Sequence, residues 1–220
     1  MKKFVASLLL IITPVALATP QVNLNSSYMR VNETNDLVIS ASTKNVYMIV
    51  GPILNGLDDG ADLGPIAISM KQNLEKKEEV VLLINSPGGI MEEVTYDFLD
   101  TMDKFKEEGV PVTCVVNGMA ASLAAIIFSK CSNRYSLPSS RILWHSIATN
   151  YNGKLNEQMA KEIYERFHEL NEKFWAETKK FFSEEYFLKN FNEENLMVAI
   201  ELEKQGKGYL KVVRSVKLPQ

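Results

Sequence analysis

From residue 45 onward, short apolar runs alternate with longer segments whose apolar residues recur at helical spacing. Val80–Ile84 is apolar throughout, which predicts a strand buried on both faces of a sheet. Met91–Glu108 carries an apolar stripe and is followed by Gly109, as is typical of an amphipathic helix that ends at a glycine. Strands and helices in this order predict an α/β fold with parallel strands and right-handed crossovers.

The remaining segments fit the same alternation. Further strands are predicted near 37–39 and over 45–53, 112–116, 141–144 and 209–213, with turns at 85–89, 117–118 and 136–140. Further helices are predicted over 65–76, 120–130 and 155–182, with one or two shorter helices in 184–204. The long segment 155–182 combines an apolar stripe with many charges, so it suits packing on its own domain or an interface between copies of the chain.

Composition places the chain among ordinary globular proteins. Of the 220 residues, 46% are hydrophobic and 23% are charged, which argues against the disordered, coiled-coil and disulfide-scaffold classes for most of the chain. This length suits one domain with its own core. The net charge of −3, without a basic block, argues against a nucleic-acid partner.

The first 18 residues have the composition of a secretory signal peptide. Lys2 and Lys3 precede the uncharged stretch Phe4–Ile12, and the A-x-A motif at 16–18 predicts cleavage after Ala18. The apolar stretch is shorter than the ~20 residues that span a bilayer, and the alternatives are an uncleaved membrane anchor or a buried helix. We therefore expect an exported protein, periplasmic or secreted, which contacts a membrane only through an uncleaved signal.

The chain has two cysteines, Cys114 and Cys131. Cys114 lies in a predicted strand and Cys131 follows the next predicted helix, so the two side chains can meet between the strand and helix layers. Outside the cytoplasm they can form a disulfide, and the alternative is two small buried apolar side chains. Two cysteines without a cluster of histidines do not make a zinc site, so we expect neither a metal nor a cofactor.

Three features carry candidate chemistry. The NSPGG turn at 85–89 follows a buried strand, and its two glycines permit positive φ and leave backbone N–H groups free to face an oxyanion. Ser122 lies among small residues between a strand and a helix, where its alternative role is a helix cap. The segment lacks the G-x-S-x-G motif of a nucleophile elbow. His145 follows a short apolar strand, and its alternative role is that of a buried structural histidine.

In their order along the chain, these segments resemble the ClpP family of serine peptidases, within the ClpP/crotonase fold. The resemblance rests on NSPGG at 85–89, G-x-A-A-S at 118–122 and R-x-x-L-P-x-S-x-x-x-x-H at 134–145, and it covers about residues 44–182. It implies a spiral of β-β-α units with a long handle helix. We accordingly divide the chain into a signal peptide (1–18), an N-terminal arm (19–43), a peptidase domain (44–213) and a C-terminal tail (214–220).

The resemblance implies roles for four residues. Ser122 matches the family's nucleophile and His145 its general base, while the backbone N–H groups of Gly89 and Leu123 match the positions that form its oxyanion hole. The implied reaction is endopeptidic hydrolysis of peptides or unfolded proteins. The implied assembly is a ring-like homo-oligomer joined through the handle helix.

The third catalytic residue departs from the family pattern. The family usually has an Asp in its C-terminal part, and this chain has no Asp after Asp103. The segment that aligns best offers Glu194 as the third residue, with Glu193 or Asn192 as alternatives. A Ser–His dyad without an orienting residue is a further alternative.

Export and the missing Asp both bear on the predicted function. ATP is not generally available outside the cytoplasm, so we expect a serine endopeptidase that works without an ATP-driven unfoldase. The main alternative is a catalytically inactive assembly or binding protein that keeps the fold. A crotonase-like enzyme acting on acyl-thioesters is less favoured, because that group typically uses carboxylates and has no Ser–His pair.

Overall fold

The computed structural model describes residues 29–40, 45–56, 60–148 and 153–218. The predicted signal peptide and the first part of the N-terminal arm lie outside the described residues. Within them, the chain forms helices and strands in the alternating order that the sequence predicts, so the α/β class is confirmed. No helix of the described ranges is long and apolar enough to cross a membrane.

Among the described elements, five of the six helices come after a strand in chain order. The helices are α1 (Leu63–Glu75), α2 (Glu93–Glu107), α3 (Leu123–Lys130), α4 (Glu157–Lys179), α5 (Glu184–Asn192) and α6 (Ala199–Gln205). The strands are β1 (Met29–Val31), β2 (Asp36–Ile39), β3 (Val46–Val50), β4 (Val80–Ser86), β5 (Val112–Ala121), β6 (Asn133–Ser136), β7 (Arg141–Leu143), β8 (Leu196–Val198), β9 (Lys211–Val212) and β10 (Ser215–Lys217). The handle helix predicted over 155–182 corresponds to α4.

The main sheet contains β3, β4, β5, β6 and β9, side by side in that order. All of these neighbours are parallel, and Leu82 of β4 pairs with Tyr47 on one side and Cys114 on the other. β7 pairs in parallel with the last residues of β5 and antiparallel with β8. Parallel neighbours need a crossover connection, and α1, α2 and α3 supply the connections from β3 to β6.

Alternate residues of β4 face two different cores. Val80, Leu82 and Ile84 pack in the larger core with the helices, whereas Val81 packs in a smaller core with Leu37 of β2. Successive side chains of a strand point to opposite faces, so a continuous apolar run is needed to fill both cores. The prediction that this run is buried on both faces is therefore confirmed.

The N-terminal arm and the C-terminal tail form a second, smaller sheet. In this sheet β2 pairs antiparallel with β1 and parallel with β10. The sequence predicts the tail as a separate segment, but Asp36 accepts a hydrogen bond from Ser215 Oγ (2.9 Å) and pairs with Lys217 Nζ (3.0 Å). A strand of three residues is too short to leave a periodic signal in the sequence.

β5 is longer than predicted. The turn expected at 117–118 is instead an irregular stretch within the strand, where the register against β4 shifts. Gly118 has a φ of +116°, and the side chain of Asn85 accepts a hydrogen bond from Met119 N–H (3.1 Å). Because that side chain satisfies the backbone of the irregular stretch, the chain continues as a strand to Ala121 and does not reverse.

β6 and β8 are not among the predicted strands. β6 has the sequence NRYS, which shows no apolar alternation, yet all four of its residues are buried. β8 has only three residues and lies between α5 and α6 within the segment predicted as helical. Their pairing depends on β5, β7 and β9, which are distant in sequence, and local pattern does not reveal such contacts.

Candidate active site

Ser122 stands alone between the end of β5 and the start of α3. The helix predicted over 120–130 therefore begins only at Leu123, and Ser122 precedes it. Its backbone has φ 54° and ψ −125°, which is a sparsely populated conformation for a residue with a side chain. Its hydroxyl makes no capping hydrogen bond, so it does not act as a conventional helix cap. Ser122 thus lies at a sharp turn from strand to helix, although the segment has no G-x-S-x-G motif.

The turn at 85–89 packs directly against Ser122. Gly88 has a φ of +91°, and a Cβ at this position would lie 2.5 Å from Ala121 O and 2.7 Å from Ser122 Cβ. Gly89 does not have positive φ, so only Gly88 of the two glycines uses the conformational freedom that glycine permits. Gly89 is required for space, because a Cβ there would lie 2.7 Å from the carbonyl carbon of Ile53.

Gly89 and Leu123, whose backbone N–H groups are the predicted donors, line the same cavity as Ser122. Ile53 N–H donates to Gly88 O (2.8 Å) and Ile90 N–H donates to Ile53 O (3.1 Å), so the N–H of Gly89 points away from Ile53. Leu123 is the first residue of α3, whose first amides have no partner within the helix. In the described part of the chain neither amide has a hydrogen-bond acceptor.

His145 follows β7 and is half-buried. Its Nδ1 lies 2.8 Å from the carbonyl oxygen of Ser146. A carbonyl oxygen can only accept a hydrogen bond, so Nδ1 carries the proton of the neutral ring and Nε2 keeps its lone pair. This is the tautomer that a general base acting through Nε2 requires.

Ser122, His145, Gly89 and Leu123 line one cavity of about 730 Å³. Within the described ranges no hydrogen bond joins Ser122 to His145. The rest of the lining is largely apolar and comes from α2, α3, α4 and the loops beside them, including Ile90, Met91, Tyr96, Ile126, Ile147, Ile163, Phe167 and Leu170. The structure therefore brings four predicted site residues to one place.

The candidates for the third catalytic residue lie on the surface at the C-terminal end of α5. Asn192, Glu193 and Glu194 are all exposed, and Glu193 accepts a hydrogen bond from Asn195 Nδ2 (2.9 Å). Among the described residues, none of the three candidates is hydrogen-bonded to His145. The assignment of Glu194 stays a prediction.

Cys114 and Cys131 are joined by a disulfide, with their Cα atoms 5.9 Å apart. Cys114 lies in β5 and Cys131 follows α3, and both are buried. The bond therefore closes the loop that contains Ser122 and links the strand before it to the helix after it. Such a link restricts the unfolded chain and holds the two elements together at their far ends.

Arg134 has a structural role that the sequence does not predict, although it is the first residue of the motif at 134–145. Its buried guanidinium donates to the carbonyl oxygens of Cys131 (2.5 Å), Ser129 (3.3 Å) and Tyr209. Burial lowers the pKa of Arg134. The carbonyl groups at the end of α3 compensate, because they carry the negative end of the helix dipole. Arg134 thus anchors α3, the helix that follows Ser122.

A comparison with protein families identifies the family of the chain's central and C-terminal parts. The model of the family described as Clp protease matches residues 66–207, which is well over half of the chain. The matched segment contains all of the residues that line the cavity around Ser122.

Proposed function

The chain belongs to the Clp protease family, and on this premise we propose that it is a serine endopeptidase in which Ser122 is the nucleophile and His145 the general base. The observation that carries the proposal is the shared cavity, which Ser122, His145, Gly89 and Leu123 all line. The strained backbone of Ser122 between a strand and a helix, and the amides beside it that have no acceptor in the described residues, support a role in acyl transfer.

The proposed reaction proceeds through an acyl-enzyme. Ser122 Oγ attacks the carbonyl carbon of the scissile peptide bond while its proton passes to His145 Nε2. Gly89 and Leu123 N–H donate to the oxyanion of the tetrahedral intermediate. The C–N bond then breaks, and His145 gives the proton to the leaving amine. Water, deprotonated by His145, hydrolyses the ester and restores the Ser122 hydroxyl.

The lining of the cavity indicates which kind of peptide the protein would bind. Side chains from α3 and α4, such as Ile126, Ile163 and Phe167, make more than half of its lining apolar, beside the charged Arg166, and this favours a peptide with an apolar side chain next to the scissile bond. We include export in the proposal, and the Cys114–Cys131 disulfide supports an oxidising compartment. Such a location leaves out an ATP-driven unfoldase, so the substrates are short or unfolded chains.

A homo-oligomer joined through α4 is part of the proposal. Exposed apolar residues of this region, Leu155 and Tyr164, lie outside the core and support an interface there.

The second candidate function is a catalytically inactive assembly protein. It is favoured by one observation, the absence of any carboxylate bonded to His145 within the described residues.

Labelling with a fluorophosphonate distinguishes these functions, because such a probe reacts only with a serine that its surroundings have made nucleophilic. We expect the wild-type protein to be labelled and Ser122→Ala not to be. His145→Gln should label at least ~100-fold more slowly, since it lacks the general base. Ser69→Ala, on the surface of α1, is the matched control and should label like the wild type. A folded wild type without labelling would favour the inactive assembly protein.

A further inference from the structure

Asn171 of α4 is linked to His145 through a single peptide group. Ile147 N–H donates to Asn171 Oδ1 (2.8 Å), and His145 Nδ1 donates to Ser146 O (2.8 Å). That carbonyl and that N–H belong to the same peptide unit. We infer that Asn171 is a positioning residue, which holds this peptide so that its carbonyl orients His145; the inference rests on the proposed function and deepens it.

Asn171, the peptide group between Ser146 and Ile147, and His145 form a relay of hydrogen bonds, and its orientation is determined at both ends. Asn171 Nδ2 donates to Phe167 O (2.9 Å) in the preceding turn of α4, so its Oδ1 is the atom left to face Ile147. The peptide unit is planar, so fixing its N–H also fixes the direction of the Ser146 carbonyl. That carbonyl in turn fixes which nitrogen of His145 carries the proton.

The relay can do part of what a carboxylate does in a triad. It holds the ring and its tautomer, and hydrogen bonds in series polarise one another, so Asn171 strengthens the carbonyl as an acceptor. When His145 takes the proton from Ser122, its Nδ1–H donates more strongly to that carbonyl. No full negative charge is involved, in keeping with the exposed positions of Glu193 and Glu194.

The tautomer of His145 tests the inference without any measurement of activity. The chain has two histidines, so His168→Gln leaves His145 as the only imidazole in the full, untagged protein. Nitrogen chemical shifts at about pH 8, where an imidazole is neutral, then report which nitrogen carries the proton. We expect the Nδ1–H tautomer in this background, and a mixture or the Nε2–H tautomer once Asn171→Leu is added.

Steady-state peptide hydrolysis gives the second readout. Asn171→Leu leaves Ile147 N–H without an acceptor, and we expect kcat to fall roughly 10- to 100-fold because the base is misplaced. KM should change less than about twofold, since the cavity lining is retained. Asn171→Asp keeps an acceptor oxygen for Ile147 N–H but loses the donor to Phe167 O, so it should restore the Nδ1–H tautomer and only part of kcat.

Asn156→Leu is the matched control. Asn156 caps α4 by accepting from Met159 N–H (2.8 Å), so its loss loosens the same helix without affecting the relay. If it lowers kcat and changes the tautomer as much as Asn171→Leu does, α4 acts only as a support and the inference is wrong. The inference is equally wrong if His145 keeps its tautomer in Asn171→Leu. If Asn171→Leu does not fold, Asn171→Ser, whose short side chain does not reach Ile147, takes its place.

The two proposals fail in different ways. If the wild type shows no fluorophosphonate labelling, the peptidase assignment fails, but the nitrogen shifts still decide whether Asn171 fixes His145. If labelling is normal and the tautomer does not depend on Asn171, the peptidase assignment stands and the positioning role is lost.

Discussion

Ser122 and Asp36 each lie where two chain segments meet, but different interactions hold their surroundings. Around Ser122, Gly88 is in van der Waals contact, the Cys114–Cys131 disulfide links strand to helix, and Arg134 donates to backbone carbonyl groups. None of these contacts involves a carboxylate. Close packing, a covalent bond and hydrogen bonds to backbone carbonyl groups therefore stabilise the site, and its geometry should depend little on pH.

In the small sheet at the two ends of the chain, Ser215 and Lys217 of the tail both contact the carboxylate of Asp36. Asp36 is buried, and hydrogen bonds from Thr34, from the Lys217 ammonium group and from Ser215 hold the pKa of its carboxyl well below the usual range. Protonation of Asp36 weakens all three interactions. The comparison predicts that acid loosens the arm and tail before it disturbs the region of Ser122.

The largest effect should come from Gly88→Ala. The new Cβ would lie 2.5 Å from Ala121 O, and an L-residue at a φ of +91° is strained, so we expect a loss of roughly 4 kcal/mol in the free energy of unfolding. Fluorophosphonate labelling of the folded fraction should fall roughly 100-fold, since Ser122 must move. Urea unfolding and labelling rates measure the two effects.

Gly109→Ala is the control for positive φ alone. Gly109 has a φ of +68°, but a Cβ there meets no atom within 4 Å. We expect a loss of only about 1 kcal/mol and normal labelling. Equal effects of the two substitutions would mean that close packing of Gly88 on Ser122 has no importance.

Removal of the disulfide should have the next largest effect. The bond closes a loop with a sequence separation of 17, so the double variant Cys114→Ala, Cys131→Ala should lose about 3 kcal/mol of unfolding free energy. Neither cysteine contacts the cavity, so the folded fraction should still be labelled. Calorimetry with and without a reductant checks this, because a reductant should lower the Tm of the wild type and leave the variant unchanged.

The fold could be predicted from the sequence wherever an element carries its own periodic signal. Val80–Ile84 is an example, because a run buried on both faces must be apolar whatever its neighbours are. Arg134 lies in a strand that the local pattern does not predict, because that strand pairs with β5 and β9 and one carbonyl that compensates the burial of Arg134 belongs to Tyr209, far away in sequence. The strand Ser215–Lys217 was missed for the same reason, since its partner is the N-terminal arm.

The candidate site could be predicted as a set of residues but not as a set of contacts. Ser122, His145 and the two amide donors follow from motifs, and motifs specify residue types in order. The positive φ of Ser122 and the contact with Gly88 arise from packing between two distant turns. The link from Asn171 to His145 passes through a backbone peptide, and side-chain motifs hold no information about such a path.

The smallest effect is expected for Asp36→Asn, which tests directly whether ionisation distinguishes the small sheet from the region around Ser122. Asp36→Asn should lower the free energy of unfolding at about pH 6, because the neutral amide loses the charge-assisted bonds with Lys217 and Ser215. The pKa of Asp36 is lower in the folded protein than its value of ~3.9 in an unfolded chain. The contribution of the carboxylate is therefore complete above about pH 5 and is lost progressively as the pH falls below it.

The difference between wild type and Asp36→Asn should accordingly shrink in urea unfolding as the pH is lowered from about 6 to about 3. The disulfide variant is the internal reference, since its deficit involves no titrating group and should stay constant over the same range. Asp97→Asn removes an exposed pair with Lys71 and should have little effect at either pH. If the loss of unfolding free energy in Asp36→Asn does not change with pH, the small sheet, like the region around Ser122, is stabilised by interactions that do not depend on ionisation. In that case hydrogen-bond geometry at Asp36, and not its charge, would fasten the tail to the arm.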